Sequence, residues 1–263
     1  MAVADYFYPS SPEMLKRMFA DWSQKIEKKE RARMVILPHA GYIYSGRVAF
    51  QALQKIEIPS LFLVFGPNHT GMGKSFAIFP GTSWATPFGR VQVDVELSDR
   101  IVQNVHLAQL DSSAHLEEHS VEVEVNLLHF FNPNGKLVAG VVAMMPYPEL
   151  EKIGDELAEV LMPYAENILL VASSDMSHYL PESEARTKDY RALEAILALD
   201  EKELYRRVQQ ENISMCGVAP TVVLLHAVKK LGATSARIDQ YTSSAETTGD
   251  ASAVVGYAGV IVQ

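Results

Sequence analysis

The chain is 263 residues long, 48% hydrophobic and 21% charged, with one cysteine and a net charge of −9. At roughly 100–200 residues per domain the length suits one large domain or two small ones, and the near-average composition excludes disorder, collagen-like order and low-complexity scaffolding. An excess of 32 acidic over 23 basic residues repels a polyphosphate partner such as nucleic acid, and a lone cysteine excludes an internal disulfide and favours a reducing, cytoplasmic compartment.

In chain order, Ser11 reads as an N-cap with Pro12 at the first helical position, and Met14, Leu15, Met18, Phe19, Trp22 and Ile26 recur at helical spacing. The basic cluster at 25–33 is interleaved with Glu27 and Glu30, which suits a solvated helix face better than a nucleic-acid arm. An alternation follows: 34–38 strand-like, 46–56 helical, 61–66 strand-like, then 76–80 and 91–95 strand-like around a Thr-Pro-Phe-Gly turn. Over 120–131 the valines fit both strand alternation and one helix face, and helix is the preferred reading. The near-continuous apolar runs 137–145 and 168–172 resemble strands covered on both faces, with a helical pattern at 148–164 between them, which predicts a β-α-β crossover. Segments 184–199 and 202–210 read as helices, 217–231 as a buried helix, and 237–243 and 254–262 as closing strands. Even the longest apolar runs are about half of the ~20 residues that a bilayer requires, so no membrane partner is expected. With no repeat, linker or break in composition, residues 1–263 are expected to form a single α/β domain, with helices flanking a central mixed, mostly parallel sheet.

In open α/β sheets ligands bind beyond the carboxyl ends of the strands. Strand 34–38 is followed by His39, strand 61–66 by His69, and strand 168–172 by Ser173, Ser174, Asp175 and His178. Any one such histidine is more often a turn residue bonded to backbone; three strand ends each delivering an imidazole carry the argument together. Asp175 and His178 are three apart at what reads as the start of a helical turn, so both could face one crevice, although an Asp N-cap beside an exposed His fits the same spacing. His119 stands at a predicted helix start, where it could line the same pocket or cap the helix. Partners for His106, His115, His129 and His226 are not legible, and they are taken as structural or exposed.

Cys216 directly precedes the apolar helix at 217–231, and a thiol near a helix N-terminus is expected to shift toward thiolate. A buried small hydrophobe is its commoner fate. Two imidazoles and one thiolate would make a three-ligand site with an open position for zinc, iron or copper. Alternatively Cys216, His178 and Asp175 could serve as nucleophile, base and orienter, which leaves His39 and His69 without a role. Zinc-finger, Walker and Rossmann spacings are absent.

Several ordered motifs carry a resemblance over nearly the whole chain: Pro38-His39-Ala40-Gly41-Tyr42, Tyr44-Ser45-Gly46, Gly66-Pro67-Asn68-His69, Trp84-Ala85-Thr86-Pro87-Phe88-Gly89, Glu118-His119-Ser120-Val121-Glu122, Ser173 to Tyr179, and Cys216-Gly217. Their order resembles that of the Memo family, known in prokaryotes as protein B of the AmmeMemoRadiSam system and in animals as a mediator of cell motility. The resemblance implies a fold similar to that of class III extradiol dioxygenases, a metal site of His39, His69 and Cys216, and Asp175, His178 and His119 as catalytic residues lining the same cavity. It further implies an iron or copper cofactor with redox activity, a small-molecule or peptide substrate, and a link to a radical-enzyme system. Extradiol dioxygenases use two histidines and a carboxylate; a softer thiolate in the third place argues against ring cleavage and for copper or iron redox chemistry. The competing reading is a catalytically silent module that binds a peptide or phosphopeptide in the same cleft.

Overall fold

The computed structural model describes all 263 residues. Helix α1 (Pro12–Trp22) begins as expected, with the Ser11 side chain accepting from the Met14 N–H and Pro12 in the first turn. It ends before Ile26, because Ser23 turns extended and its hydroxyl closes the last turn onto the Phe19 carbonyl at 2.8 Å. Strand β1 (Met34–Leu37) follows, then a π-helical turn (Tyr42–Gly46) running into α2 (Arg47–Gln54), then β2 (Leu61–Pro67) and β3 (Phe76–Ile78). Next come β4 (Ser83–Thr86), β5 (Gly89–Val93), α3 (Val95–Asn104), β6 (Ala108–Leu110), α4 (Ser120–Phe131) and β7 (Lys136–Val142). The second half contains α5 (Tyr147–Leu161), β8 (Ile168–Ser173), β9 (His178–Leu180), α6 (Glu182–Leu197), α7 (Glu201–Gln210), α8 (Val218–Lys230), β10 (Ala236–Ser243), α9 (Ala245–Thr248) and β11 (Val254–Val262).

The result is a single α/β domain around a mixed sheet ordered β10-β11-β1-β8-β2-β7-β3-β6. Its central strands β1, β8, β2 and β7 are mutually parallel, whereas β11 lies antiparallel to β1, and β3 antiparallel to β7. One face packs on α5 and α8 through residues such as Leu63, Leu170, Leu150, Ile153, Val223 and Leu224, and the other on α1, α2 and α4 through Val64, Val171, Phe19, Phe50 and Leu128. Burial on both faces is why the central strands read as unbroken apolar runs. No helix is long and apolar enough to cross a membrane.

Two further local expectations change, and one helix is new. The Thr-Pro-Phe-Gly turn joins β4 to β5, not β3 to β5; β3 pairs instead with β6 and β7. The β7-α5-β8 crossover exists, but its strands are not neighbours, since β2 pairs with both and lies between them. Helix α3, whose Asp94 N-cap accepts from the Leu97 N–H, was not legible, because only Leu97, Ser98 and Ile101 of it are buried.

Candidate metal centre

Parallel pairing sets β1, β2 and β8 ending on one edge: Leu37 is in register with Ser173, and Phe65 with Ala172. The turns that leave these strands carry His39, His69 and Asp175 into one cleft, as strand-end geometry predicts. Cys216 reaches it from the segment before α8. Gly217 makes that approach feasible, since a Cβ there would stand 2.3 Å from the Ser173 carbonyl oxygen, and its N–H donates to Ser174 Oγ at 2.9 Å. Gly66 does the same for α4, where a Cβ would meet Ser120 Oγ at 2.1 Å.

One donor atom from each of His39, His69 and Cys216 lies within 4.8 Å of the others. His39 is 1% exposed, with Nδ1 2.8 Å from Ser173 Oγ and Nε2 3.2 Å from Cys216 Sγ. Asp175 holds its backbone, Oδ1 accepting from the His39 N–H at 2.8 Å and the Ala40 N–H at 3.3 Å. The His69 N–H donates to Glu118 Oε2 at 2.7 Å and Nδ1 stands 2.9 Å from Oε1, so one carboxylate sets both the backbone and the ring. His119 stacks on the His69 ring at 4.6 Å, faces the His39 ring edge-on at 5.2 Å, and is backed by Phe7 at 4.5 Å.

Burial, helped by the neighbouring imidazoles, holds His39 well below the usual histidine range, and it pushes His119 down to about 4. Both rings are therefore neutral near pH 7, the form that binds a metal. Burial tends to raise the Glu118 carboxyl, but hydrogen bonds from His69 and the Ser120 N–H prevail and bring it down to about 2. Asp175 is raised to about 6 by burial against the opposing pull of the His39 and Ala40 N–H groups.

The expected thiolate shift at Cys216 is reversed. Helix α8 starts two residues later, and burial together with the Asp175 carboxylate outweighs the Asp175 N–H donated to Sγ at 3.2 Å, so the thiol is pushed up. The Cys216–His178–Asp175 relay is not assembled either. Residues 174–177 form neither helix nor strand, His178 Nδ1 bonds the Ser214 carbonyl at 2.9 Å, and the imidazole against the sulfur is His39. His178 remains near enough to Asp175 and His39 to influence both electrostatically. A second donor set, His69, Glu118 and His119, shares one histidine with the first. Its carboxylate already accepts from His69 and from the Ser120 N–H and hydroxyl, which makes it an orienting group.

The orienting role of Glu118 has no signal in the sequence, since a carboxylate at a helix start reads as a capping group. The remaining histidines also find surroundings that sequence could not supply. His106 Nε2 meets Glu149 at 2.9 Å, His129 Nδ1 meets Thr86 Oγ1 at 2.6 Å, and His226 bridges Glu201 and Asp155. His115 is buried beside Phe79 and Trp84 with neither ring nitrogen hydrogen-bonded.

Comparison with known proteins gives a consistent result. A family model described as "Memo-like protein" matches residues 1–261. A MEMO1 family protein of Aquifex aeolicus is 43% identical over 263 residues, covering 99% of this chain and 97% of that protein. One from Methanosarcina barkeri is 36% identical, covering 100% and 98%. Among solved structures, an uncharacterized protein from Escherichia coli K12 superimposes with a TM-score of 0.59 at 15% identity, over 88% of this chain and 100% of that one, a likeness of fold alone.

Proposed function

The chain belongs to the Memo-like protein family, and on that premise we propose that its strand-end cleft holds an iron or copper ion through His39, His69 and Cys216 and carries oxidoreductase chemistry on a small substrate. The observation that carries this reading is the convergence of two imidazoles and a sulfur, remote in sequence, to within 4.8 Å. The donor set fits such an ion: two imidazole nitrogens and one soft sulfur, the ring orientations held by Ser173 and Glu118. When bound, the ion supplies one-electron chemistry and polarises an oxygen-bearing substrate.

The protein's own groups have separate tasks. Cys216 must lose its proton on binding, so affinity rises with pH. A reducing, cytoplasmic setting keeps this sulfur available. His178 donates Nδ1–H to the Ser214 carbonyl, which can only accept, and this leaves Nε2 as the base that can take a substrate proton. Asp175 anchors the His39 turn, and neutral His119 lines the wall beside His69. A radical enzyme that supplies or consumes the substrate belongs to the same reading.

Metal analysis of protein purified without chelator tests the assignment, with Cys216→Ser and His39→Ala as controls. Bound iron or copper lost in both variants supports it; unchanged stoichiometry removes it, and zinc alone removes the redox chemistry. The peptide-binding alternative draws on the aromatics near this end of the sheet, Tyr44 at 37% and Tyr179 at 79% exposed. Peptide affinity that survives loss of all three ligands, without metal-dependent turnover, would favour it.

A further inference from the structure

Helix α4 carries a second carboxylate that the proposed chemistry does not use. Glu124 is fully buried, no cation pairs with it, and its Oε2 has no hydrogen-bond partner. Its Oε1 lies 3.0 Å from Ser173 Oγ, the same hydroxyl that meets His39 Nδ1 at 2.8 Å and the Ser120 carbonyl oxygen at 2.9 Å. Three partners therefore share a hydroxyl with a single proton.

The Ser120 carbonyl can only accept. If the Ser173 proton goes to Glu124 or to His39, the contact with Ser120 sets two acceptors face to face. One arrangement pairs all three contacts: Ser173 donates to Ser120, while Glu124 and His39 Nδ1 each donate to Ser173. We propose that Glu124 is a positioning residue, a buried neutral carboxylic acid that donates to Ser173 and so favours the Nδ1–H tautomer of His39, with a bare Nε2 turned toward Cys216. Burial holds the Glu124 carboxyl well above the usual range, and the nearby Asp175 carboxylate adds to this. The other titratable group facing it, Tyr42, is committed to the Val123 carbonyl at 2.8 Å and donates nothing to Glu124. A neutral acid also accounts for the unpartnered Oε2, since a lone carbonyl oxygen is far cheaper to bury than an ionised one.

The consequence for metal binding rests on the reading of His39 as a ligand; the tautomer itself does not. Two measurements on metal-free protein test the tautomer. In 15N spectra of histidine-labelled protein, with the His39 signals identified by their loss in His39→Gln, Nδ1 is expected in the protonated range and Nε2 in the bare range. Infrared difference spectra at neutral pH are expected to show a carboxylic-acid carbonyl band that disappears in Glu124→Gln. A protonated Nε2, or no such band, overturns the proposal.

Titration with Co2+ alone, followed by its thiolate charge-transfer absorption, then reads the consequence. Glu124→Gln keeps an N–H donor for Ser173 and is expected to stay within a few-fold of wild type, whereas Glu124→Leu and Ser173→Ala weaken binding by about 10–100-fold, as for other groups that orient ligands. Equal affinity in all four proteins overturns the positioning role. Wild-type protein that binds no Co2+ but retains the expected spectra removes the metal reading and leaves the tautomer assignment standing.

Discussion

His39 and His226 are both held by two partners, yet their surroundings drive them in opposite directions. His39 sits where three parallel strands end, against a hydroxyl, a thiol and other imidazoles, and burial keeps it neutral. His226, on α8 in the outer helical layer, places Nδ1 2.7 Å from Glu201 and Nε2 2.6 Å from Asp155; the Glu201 hydrogen bond leads in raising it above the ordinary histidine value. Lys229 and Lys230 complete that network on the same two carboxylates. The contrast teaches that partner type assigns the role. Burial among neutral polar partners keeps one ring neutral, and flanking carboxylates favour the protonated form of the other and turn it into a clamp between α5, α7 and α8.

The largest expected effect that could break this comparison is in metal retention. His39→Leu is expected to lose the bound ion and His226→Leu to keep it; an ion lost equally from both would place it elsewhere. A smaller step is Glu118→Gln, which leaves His69 a neutral acceptor in place of an ionised one and is expected to cost about tenfold in Co2+ affinity, at the low end for such orienting groups. Below that comes Gly217→Ala, where the new methyl must push against the Ser173 carbonyl. A destabilisation of about 1–3 kcal/mol in denaturant unfolding is expected, as for other overpacked sites, accompanied by weaker metal binding.

The smallest effect is the sharpest in sign. His226 has a raised folded value, so its contribution is full below the ordinary value of 6.5 and is lost as pH rises through the folded value. His39 and His119 are depressed, His119 to about 4, so in metal-free protein they cost stability as pH falls from 6.5 through their folded values. The melting-temperature deficit of His226→Gln relative to wild type should therefore be larger at pH 5.5 than at pH 8.5. A deficit that grows with pH would reverse the assignment.

How much of this was legible depends on the kind of contact. His39 and His69 could be found because each follows an apolar run that could only be a buried strand, and sheet topology then brings them together. Helix α4 was legible despite its alternating valines; the polar residues between them are Ser120, Glu122, Glu124 and Asn126, all buried, each at a position that a strand reading would have sent to solvent. The roles of Glu118, Glu124 and Ser214 were not, because a carboxylate or a backbone carbonyl reads alike whether it faces water, a ring nitrogen 2.9 Å away or a hydroxyl 3.0 Å away. The pairing of Cys216 with His178 failed for the same reason, since close spacing to Asp175 says nothing about which imidazole reaches the sulfur.

By itself the sequence determined the alternation of buried strands and amphipathic helices, and thereby the α/β class and the strand ends where polar residues gather. That follows from local periodicity and turn chemistry, which act within a few residues. Only the tertiary structure decided which nitrogen faces which oxygen or sulfur, that the Cys216 thiol is raised and not lowered, and that His226 is a clamp while His39 stays neutral. Those outcomes depend on desolvation and on partners up to 177 residues away in the chain, and the register of the parallel strands sets both.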